Sequence, residues 1–553
     1  MKIVIIGAVA AGTSAAAKAR RNDEKAEIKI FDMDTDISYS GCGLPYYIGT
    51  GIGSREEIVP RDTVYFKRKY NVDIFTRHQV LEIVTAEKSL KVLNMDTGEE
   101  FIESFDRLVI ATGAETAIPP IEGVAKSNIF TLRNVDSADR IRDFILTRKP
   151  QKAVIVGSGF IGLEMAESLQ SRGIAVDMVE MAEHVMPAID RDVAVYVEEY
   201  LREKGVGLFL KETVTAFGGE AFAEKVIMKS GTVLDTDLVI LSVGARPNVK
   251  LAVKAGVEIG PTGAIKANAR MQTNIDYIYT CGDCAESYSL ITGKPLYRPL
   301  GSTANKTGRI AGDQITGGSL EFKGILGTGI FKVFDMAVAV TGLTESEAVR
   351  EGFDVVTCHN IKPDRPSYFN GHDMVIKAVA DRSTGRILGA QIVGKSGVDK
   401  RIDVFATAIT FGATAEDLSH LDLAYAPPFS TSKDPVIYTG MILDNDMNRG
   451  RKLITVKDLE EKKMRGESIS VIDARTRQQF DSSHMEGAVN MPQECMREHM
   501  DQLDRDNEIV TYCNKGVTGN ATQNILLNSG FNRVYNLSGG HENYKKNRKT
   551  ELK

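Results

Sequence analysis

Ala153-Val154-Ile155-Val156-Gly157-Ser158-Gly159-Phe160-Ile161-Gly162 is a short apolar run ending in an intact G-x-G-x-x-G pattern. The run reads as a buried strand, and Leu163 to Ser171 reads as a helix with Gly173 just past its end. A second strand follows, Ala175-Val176-Asp177-Met178-Val179, and closes on Glu180, about 18 residues after Gly162. Such a unit sets a pyrophosphate over the helix N-terminus, where free N–H groups and the helix dipole favour anions. Glu180 would bond an adenosine ribose diol and repel a 2′-phosphate. No arginine follows it closely, so NADH is expected over NADPH.

The same pattern stands at the N-terminus. Lys2 to Ile6 reads as a strand, Gly7 to Gly12 as a turn, Thr13 to Arg21 as a helix and Glu27 to Phe31 as a strand ending at Asp32. The turn, G-A-V-A-A-G, keeps Gly7 and Gly12 but has Val9 where the middle glycine usually sits. Two further strand-to-glycine turns lie at Phe105 to Ala114, through Ala111-Thr112-Gly113, and at Leu238 to Gly244, running on into Ala245-Arg246-Pro247-Asn248. A third strand, Tyr277 to Thr280, leads into Cys281-Gly282-Asp283-Cys284, which puts an acid just after the strand. The Cys281-x-x-Cys284 pair has no second pair at zinc-ligand spacing, so both are read as buried small residues beside a cofactor loop and no metal is expected.

Between these units lies Ser38-Tyr39-Ser40-Gly41-Cys42-Gly43-Leu44-Pro45-Tyr46-Tyr47. By itself the stretch admits two readings: a small buried thiol in a glycine-rich turn, or a reactive thiolate approached closely by a cofactor and a substrate. Two nucleotide sites around it supply an electron path that needs an acceptor, which favours the second.

From about Phe331 to Asp446 the nucleotide motifs stop and strand-like and helical segments mix, as expected of an α+β layer with a subunit contact. Asp444 to Lys452 is the best linker candidate. Beyond it, Ile469 to Arg475 and Glu508 to Tyr512 read as strands, the second running into Cys513-Asn514-Lys515-Gly516-Val517-Thr518-Gly519 ahead of a helix from Asn520 to Asn528. A cysteine in that position is ringed by backbone N–H donors, which stabilise a thiolate and cradle an anion or persulfide.

The bulk numbers exclude other classes. A chain of 553 residues needs several cores, and 42% hydrophobic with 26% charged residues is ordinary globular composition. A net charge of -6 with interspersed signs is no footprint of nucleic-acid binding, and no apolar run approaches a bilayer span. The N-terminus opens directly on a strand without a cleavable apolar region, so a cytoplasmic, reducing location and six thiols without a disulfide framework are expected. The basic run Lys545 to Lys549 reads as a solvated end.

Taken together, the two nucleotide folds, the Ala111-Thr112-Gly113 and Gly282-Asp283 turns and Ser38-Tyr39-Ser40-Gly41-Cys42 resemble the single-cysteine branch of the flavoprotein disulfide reductases. Asp473-Ala474-Arg475, His484-Met485-Glu486-Gly487-Ala488, the Cys513 loop and Leu537-Ser538-Gly539-Gly540 resemble a rhodanese. The whole is similar to coenzyme A disulfide reductases fused to rhodanese, a family that includes NADH-dependent persulfide and polysulfide reductases. The resemblance implies an α/β fold with two Rossmann-like nucleotide-binding domains, an α+β dimerisation domain and a C-terminal α/β rhodanese domain. Their expected ranges are 1-115 with 250-325 for FAD, 116-249 for NAD, 326-446 for dimerisation and 455-553 for the rhodanese.

It further implies FAD, NADH and coenzyme A as ligands, a homodimer and a small thiol, disulfide or persulfide substrate. Cys42, Cys513, Tyr425 and Tyr368 would be catalytic, the two tyrosines reaching the partner subunit's cysteine. Gly7, Val9, Gly12, Asp32, Ser38, Ala111, Thr112, Gly113, Gly282 and Asp283 would serve FAD, and Gly244 would close the second nucleotide unit. Gly157, Gly159, Phe160, Ile161, Gly162, Glu164 and Glu180 would serve the nicotinamide nucleotide. Ser38, Tyr39 and Gly41 would line the substrate site, with Lys18, Arg20 and Arg21 either holding coenzyme A phosphates or forming a solvated helix face. Two departures stand out: Thr518 replaces the arginine usual near the end of a rhodanese loop, and Tyr544 stands where tryptophan often follows the Gly-Gly pair. The first puts independent thiosulfate sulfurtransfer in doubt. An NADH oxidase or peroxidase working through a Cys42 sulfenic acid, with the rhodanese unit as a docking module, is the alternative.

Overall fold

The computed structural model describes residues 1–551, with side chains to Arg548. The chain divides into two compact units, Met1–Glu183 with Arg202–Gly327, and His184–Leu201 with Thr328–Lys553.

The first unit contains two five-stranded parallel sheets. One has the order Ile278–Thr280, Arg107–Ile110, Lys2–Ile6, Glu27–Phe31, Asp73–Phe75. Residues separated by most of this unit therefore share one sheet, because the apolar run at 278–280 pairs with Leu108 to Ile110. The inner strands are buried on both faces, as a parallel sheet requires, while the edge strand Asp73–Phe75 is half-buried. The helix Ala11–Asn22 crosses the helix Gly301–Gln314, and contact is close because Gly308 and Gly312, one turn apart, lie against the carbonyls of Ala11 and Ala15. A Cβ at either glycine would collide with that backbone. The second sheet has the order Gly207–Leu210, Ala175–Glu180, Lys152–Val156, Leu238–Leu241, Ile129–Thr131. Two strand ends noted in the sequence pair with each other, Ala114–Thr116 antiparallel to Ala245–Pro247.

The second unit contains a five-stranded antiparallel sheet, in the order Gly329–Val333, Met336–Gly342, Ile387–Gly394, Asp373–Asp381, Val355–Pro363. It also holds a parallel sheet of Leu453–Ile454, Val534–Leu537, Glu508–Tyr512, Ile469–Asp473 and Val489–Asn490. The edge strand Val355–Pro363 is covered by the turn after Leu537: the His359 N–H donates to Ser538 Oγ at 2.7 Å. The His359 ring also lies 3.1 Å from Ser538 Oγ through Nδ1 and 2.9 Å from Asp192 through Nε2. Asp192 in turn meets the buried Lys377 ammonium at 2.8 Å, and that ammonium also meets Asp190 and Glu345. A cation this deeply buried is tolerated because three carboxylates surround it.

Two expectations are corrected. The linker expected from Asp444 is occupied as far as Asn448 by the helix Pro435–Asn448, and the buried carboxylates of Asp444 and Asp446 are satisfied by Arg449, Arg382 and the Leu453 N–H. The basic run from Lys545 is part of the helix Gly540–Glu551, in which Lys545, Lys546 and Arg548 pair with Glu542, Glu199 and Glu486. Opposite charges within reach hold what the sequence alone shows only as a charged end. The side chain of Lys549 lies outside the described residues.

Candidate active sites

The first site is assembled where the strands Lys2–Ile6, Arg107–Ile110 and Ile278–Thr280 end together. Gly7 has φ +93° and lies so close to the Ala111 carbonyl that no Cβ would fit, and Gly12 is closed in the same way by the Gly7 carbonyl. Gly282, φ +80°, abuts the Ala11 side chain at the start of the first helix. Ala10, which precedes that helix, supplies no side-chain cap, so the first N–H groups have no side-chain acceptor. Val9 adopts φ 42°, a left-handed conformation that costs a residue with a Cβ about 1–2 kcal/mol. Asp32 accepts from the Ala8 N–H at 2.7 Å and the Asp34 N–H at 2.9 Å, and burial pushes its carboxyl up to about 6. Thr112 Oγ1 donates to the Asn248 carbonyl at 2.6 Å, and Gly113 takes φ +67°. An uncapped helix end, a glycine cradle and an acid at the next strand end fit a dinucleotide such as FAD.

The second cradle repeats this arrangement. Gly157, φ +100°, is closed by the Ser242 carbonyl and Gly162 by the Gly157 carbonyl, while Gly159 faces open space. The helix Phe160–Gln170 also lacks a side-chain cap, and Ile161 in its first turn is exposed. Glu180 accepts from the Ser158 N–H at 2.8 Å, from Ser158 Oγ at 2.6 Å and from the Ala182 N–H at 2.8 Å. These residues fit a nicotinamide nucleotide for the same physical reasons. Gly244, φ +101°, is exposed, and its carbonyl accepts from the Ala117 N–H at 3.0 Å.

Cys42 occupies a single 3-10 turn, Gly41–Gly43, followed directly by the helix Leu44–Ile48. Gly41 and Cys42 are exposed, while Ser38 and Tyr39 are half-buried. The helix packs on Phe160–Gln170, where Gly49 lies against the Ser168 backbone and Arg172 donates to the Ile48 and Gly49 carbonyls. This seating lets Tyr46 donate its hydroxyl hydrogen bond to Glu164 at 3.3 Å. Desolvation, then the carboxylates of Glu164 and Asp283, hold the Cys42 thiol above the ordinary thiol range. Burial likewise pushes Glu164 up to about 7. Asp283 pairs with Arg133 at 3.2 Å, and its backbone carbonyl accepts from the Tyr297 hydroxyl at 2.9 Å. The thiol thus answers electrostatically to one acid from each nucleotide region.

Sequence reading missed Tyr46, Arg133 and Tyr297 as neighbours of this centre. Tyr46 lay inside the quoted stretch, but only the packing of two helices distant in sequence reveals its bond to Glu164. Cys281 and Cys284 are fully buried, Cys284 hydrogen-bonding locally to Thr280.

One substrate expectation is corrected. Arg20 is buried, and its guanidinium donates to the carbonyls of Tyr70, Asp23, Glu24 and Asn71, so it is not available to a phosphate. Lys18 pairs with Asp313 at 2.9 Å, and Arg21 lies over the Tyr70 ring.

In the second unit, Cys513 directly follows the strand Glu508–Tyr512 and is buried. Its carbonyl accepts from the His541 N–H at 2.8 Å, and Gly540 lies against the Cys513 and Asn514 carbonyls. Arg475 is bound to Asp473 through two nitrogens and also reaches Asn514 Oδ1 at 3.2 Å, which fixes the residue after the cysteine. Burial, then the Arg475 charge, lowers His541 to about 4, so it is neutral at ordinary pH. Tyr544 is a core side chain stacked on His541. Tyr368 and Tyr425 are exposed, as is Phe429. Among the described residues, no cluster of three or more His, Cys, Asp or Glu side chains is placed to hold a metal ion, and no helix is long and apolar enough to cross a membrane.

Comparison with known proteins agrees with this organisation. Residues 1–297 match the pyridine nucleotide-disulphide oxidoreductase family, 329–435 its dimerisation domain and 455–547 a rhodanese-like domain. The NAD(P)H sulfur oxidoreductase (CoA-dependent) of Pyrococcus furiosus is 39% identical over 444 residues, 80% of this chain and 99% of its own length. The crystal structure of reduced Bacillus anthracis CoADR-RHD superposes with a TM-score of 0.96 at 36% identity, covering 99% of this chain and 98% of that one. An NAD-dependent persulfide reductase from A. fulgidus gives 0.92 at 37% identity, covering 98% of this chain and 100% of its own. The chain belongs to the pyridine nucleotide-disulphide oxidoreductases, FAD-dependent enzymes that use NAD(P)H, and carries a rhodanese-like domain after their dimerisation domain.

Proposed function

We propose that this protein is an NADH-dependent reductase of coenzyme A disulfide, coenzyme A persulfide or polysulfide, with Cys42 as its redox thiol and Cys513 as a carrier of sulfane sulfur. The observation that carries the reading is the seating of the Cys42 turn against the helix of the second nucleotide cradle, with Glu164 and Asp283 both acting on the thiol. Bound FAD and NADH would supply the two electrons. Gly7, Gly12, Asp32 and Asp283 would hold the flavin nucleotide, while Gly157, Gly159, Phe160, Gly162, Glu164 and Glu180 would hold the nicotinamide nucleotide.

Cys42 has no second cysteine in its loop, so its sulfur partner must come from outside. The thiolate attacks one sulfur of the substrate; an S–S bond to the enzyme forms, the substrate S–S bond breaks, and the departing sulfur leaves with the electron pair. A proton for that leaving group comes from Tyr425, assisted by Tyr368, both contributed by a second subunit. A hydroxyl donor lowers the cost of expelling a thiolate. Two electrons then cleave the enzyme–sulfur bond, returning the Cys42 thiolate and releasing the remaining thiolate or hydrosulfide. Exposed Tyr368, Tyr425 and Phe429 in the dimerisation domain support a homodimer that buries them. The field of Glu164 and Asp283 favours the thiol form of Cys42 before ligands bind, so neutralising those acids promotes the reactive form.

Rapid mixing of the NADH-reduced enzyme with coenzyme A disulfide, coenzyme A persulfide or hydrogen peroxide tests the reading. Fast reoxidation by the two sulfur substrates is expected. Fast turnover with peroxide alone would replace it with an oxidase working through a cysteine sulfenic acid.

A further inference from the structure

The rhodanese loop from Cys513 to Gly519 contains a single cation, Lys515, and ends on Thr518 instead of an arginine. That cation is already used: the Lys515 ammonium pairs with Asp373 at the start of the strand Asp373–Asp381. The pairing brings the neighbouring strand Val355–Pro363 to the loop, because Pro363 and Lys362 lie opposite Asp373 and Met374 in the ladder. Three residues earlier on the same strand, His359 is hydrogen-bonded to Ser538, and Gly539 lies 3.0 Å from the His359 side chain as measured from where its Cβ would stand. Gly540, next in sequence, rests on the Cys513 and Asn514 carbonyls. The edge of the dimerisation sheet is therefore one wall of the Cys513 site.

Lys362 lies near the end of that edge strand, opposite Met374 and beside the Asp373 that pairs with Lys515. It is half-buried, its ammonium lies 4.1 Å from the Tyr438 ring centroid, and among the described residues no carboxylate forms an ion pair with it. The charges acting on it are those of Lys515, Cys513, Asp373 and Lys433, three of them within or beside the cysteine loop. Burial, then the Lys515 charge, holds it below the ordinary lysine range. Lys362 therefore shares its surroundings with the Lys515–Asp373 pair and the Cys513 thiol.

Resting on the reading of Cys513 as a sulfur carrier, we propose that Lys362, a residue of the dimerisation domain, supplies the cation that the rhodanese loop lacks and recruits anionic sulfane-sulfur donors to Cys513. The transfer it assists is balanced without another reactant. With thiosulfate, the Cys513 thiolate attacks the outer sulfur, that sulfur's bond to the sulfonate breaks, and sulfite leaves with the electron pair. The product is a Cys513 persulfide anion, whose charge Lys362 also stabilises. The site is thus composite, and a rhodanese unit excised from the chain would lack its cation.

The test uses the full-length holoenzyme and its Lys362→Met and Lys362→Arg variants, with the Cys513 peptide followed by mass spectrometry. Persulfide loading from thiosulfate and alkylation by iodoacetate and iodoacetamide are timed. Lys362→Met is expected to slow thiosulfate loading and to lower the iodoacetate-to-iodoacetamide rate ratio about tenfold, and Lys362→Arg to restore both. Because the two reagents share one reaction and differ in charge, disturbance of the loop alone moves both rates and leaves their ratio unchanged. An unchanged ratio with loading intact overturns the role of Lys362 while sparing Cys513 as carrier. Failure of wild-type Cys513 to accept sulfur from thiosulfate or coenzyme A persulfide overturns the carrier reading and the proposal with it.

Discussion

Cys42 and Cys513 both stand in short turns ahead of a helix, yet their surroundings are opposite in sign. Cys42 is exposed on a three-residue 3-10 turn, and the charges acting on it are the carboxylates of Glu164 and Asp283. Cys513 is buried at the end of a central parallel strand, with Lys362 and Lys515 nearby and Arg475 fixing the next residue. A thiol in a negative field is restrained until ligands change the field, whereas one beside cations is ready to hold an anion. On the roles proposed above, the contrast would divide sulfur chemistry within one chain into a gated reduction and a standing capture.

The sharpest way to break this division is to remove each thiol in turn. Cys42→Ser should abolish reduction of coenzyme A disulfide, a loss of at least about a thousandfold, while NADH still bleaches the flavin absorbance at the normal rate. Retained turnover would refute the role given to Cys42. Cys513→Ser should stop sulfur release from bulky donors yet change coenzyme A disulfide reduction by less than about twofold, since that reduction needs Cys42 and no sulfur carrier. Unchanged sulfur release would mark the rhodanese unit as a docking module.

Smaller effects sharpen the comparison. Glu164→Gln removes a negative charge that, after burial, raises the Cys42 pKa, so the thiol should titrate lower than in the parent, read from the pH dependence of its alkylation. The sign follows from Glu164 itself, which titrates at about 7: the difference between variant and parent should grow as pH rises through that value. Val9→Gly relieves a left-handed valine but adds freedom to the unfolded chain, so a stability gain of about 1 kcal/mol or less is expected from denaturant unfolding.

How much was legible beforehand can be judged from particular residues. The cradles at Gly7 to Gly12 and Gly157 to Gly162 were readable because the chemistry of a tight turn over a helix N-terminus is local and demands glycine at fixed spacing. The same holds for Asp32 and Glu180, which lie one strand away. Arg20 was misjudged because its sequence neighbours are basic, while the four carbonyls that bind it come from two separated loops. The linker was misjudged because acids look solvated in sequence, whereas Asp444 and Asp446 are buried and paired.

By itself the sequence determined the two nucleotide-binding units, since these rest on short-range periodicity and spacing, while the dimerisation and rhodanese layers were legible through motifs that resemble a known family. Only the tertiary structure decided which charges each thiol meets. Glu164 and Tyr46 lie more than a hundred residues apart, as do Lys362 and Cys513, and a field that falls with distance in space is blind to distance along the chain.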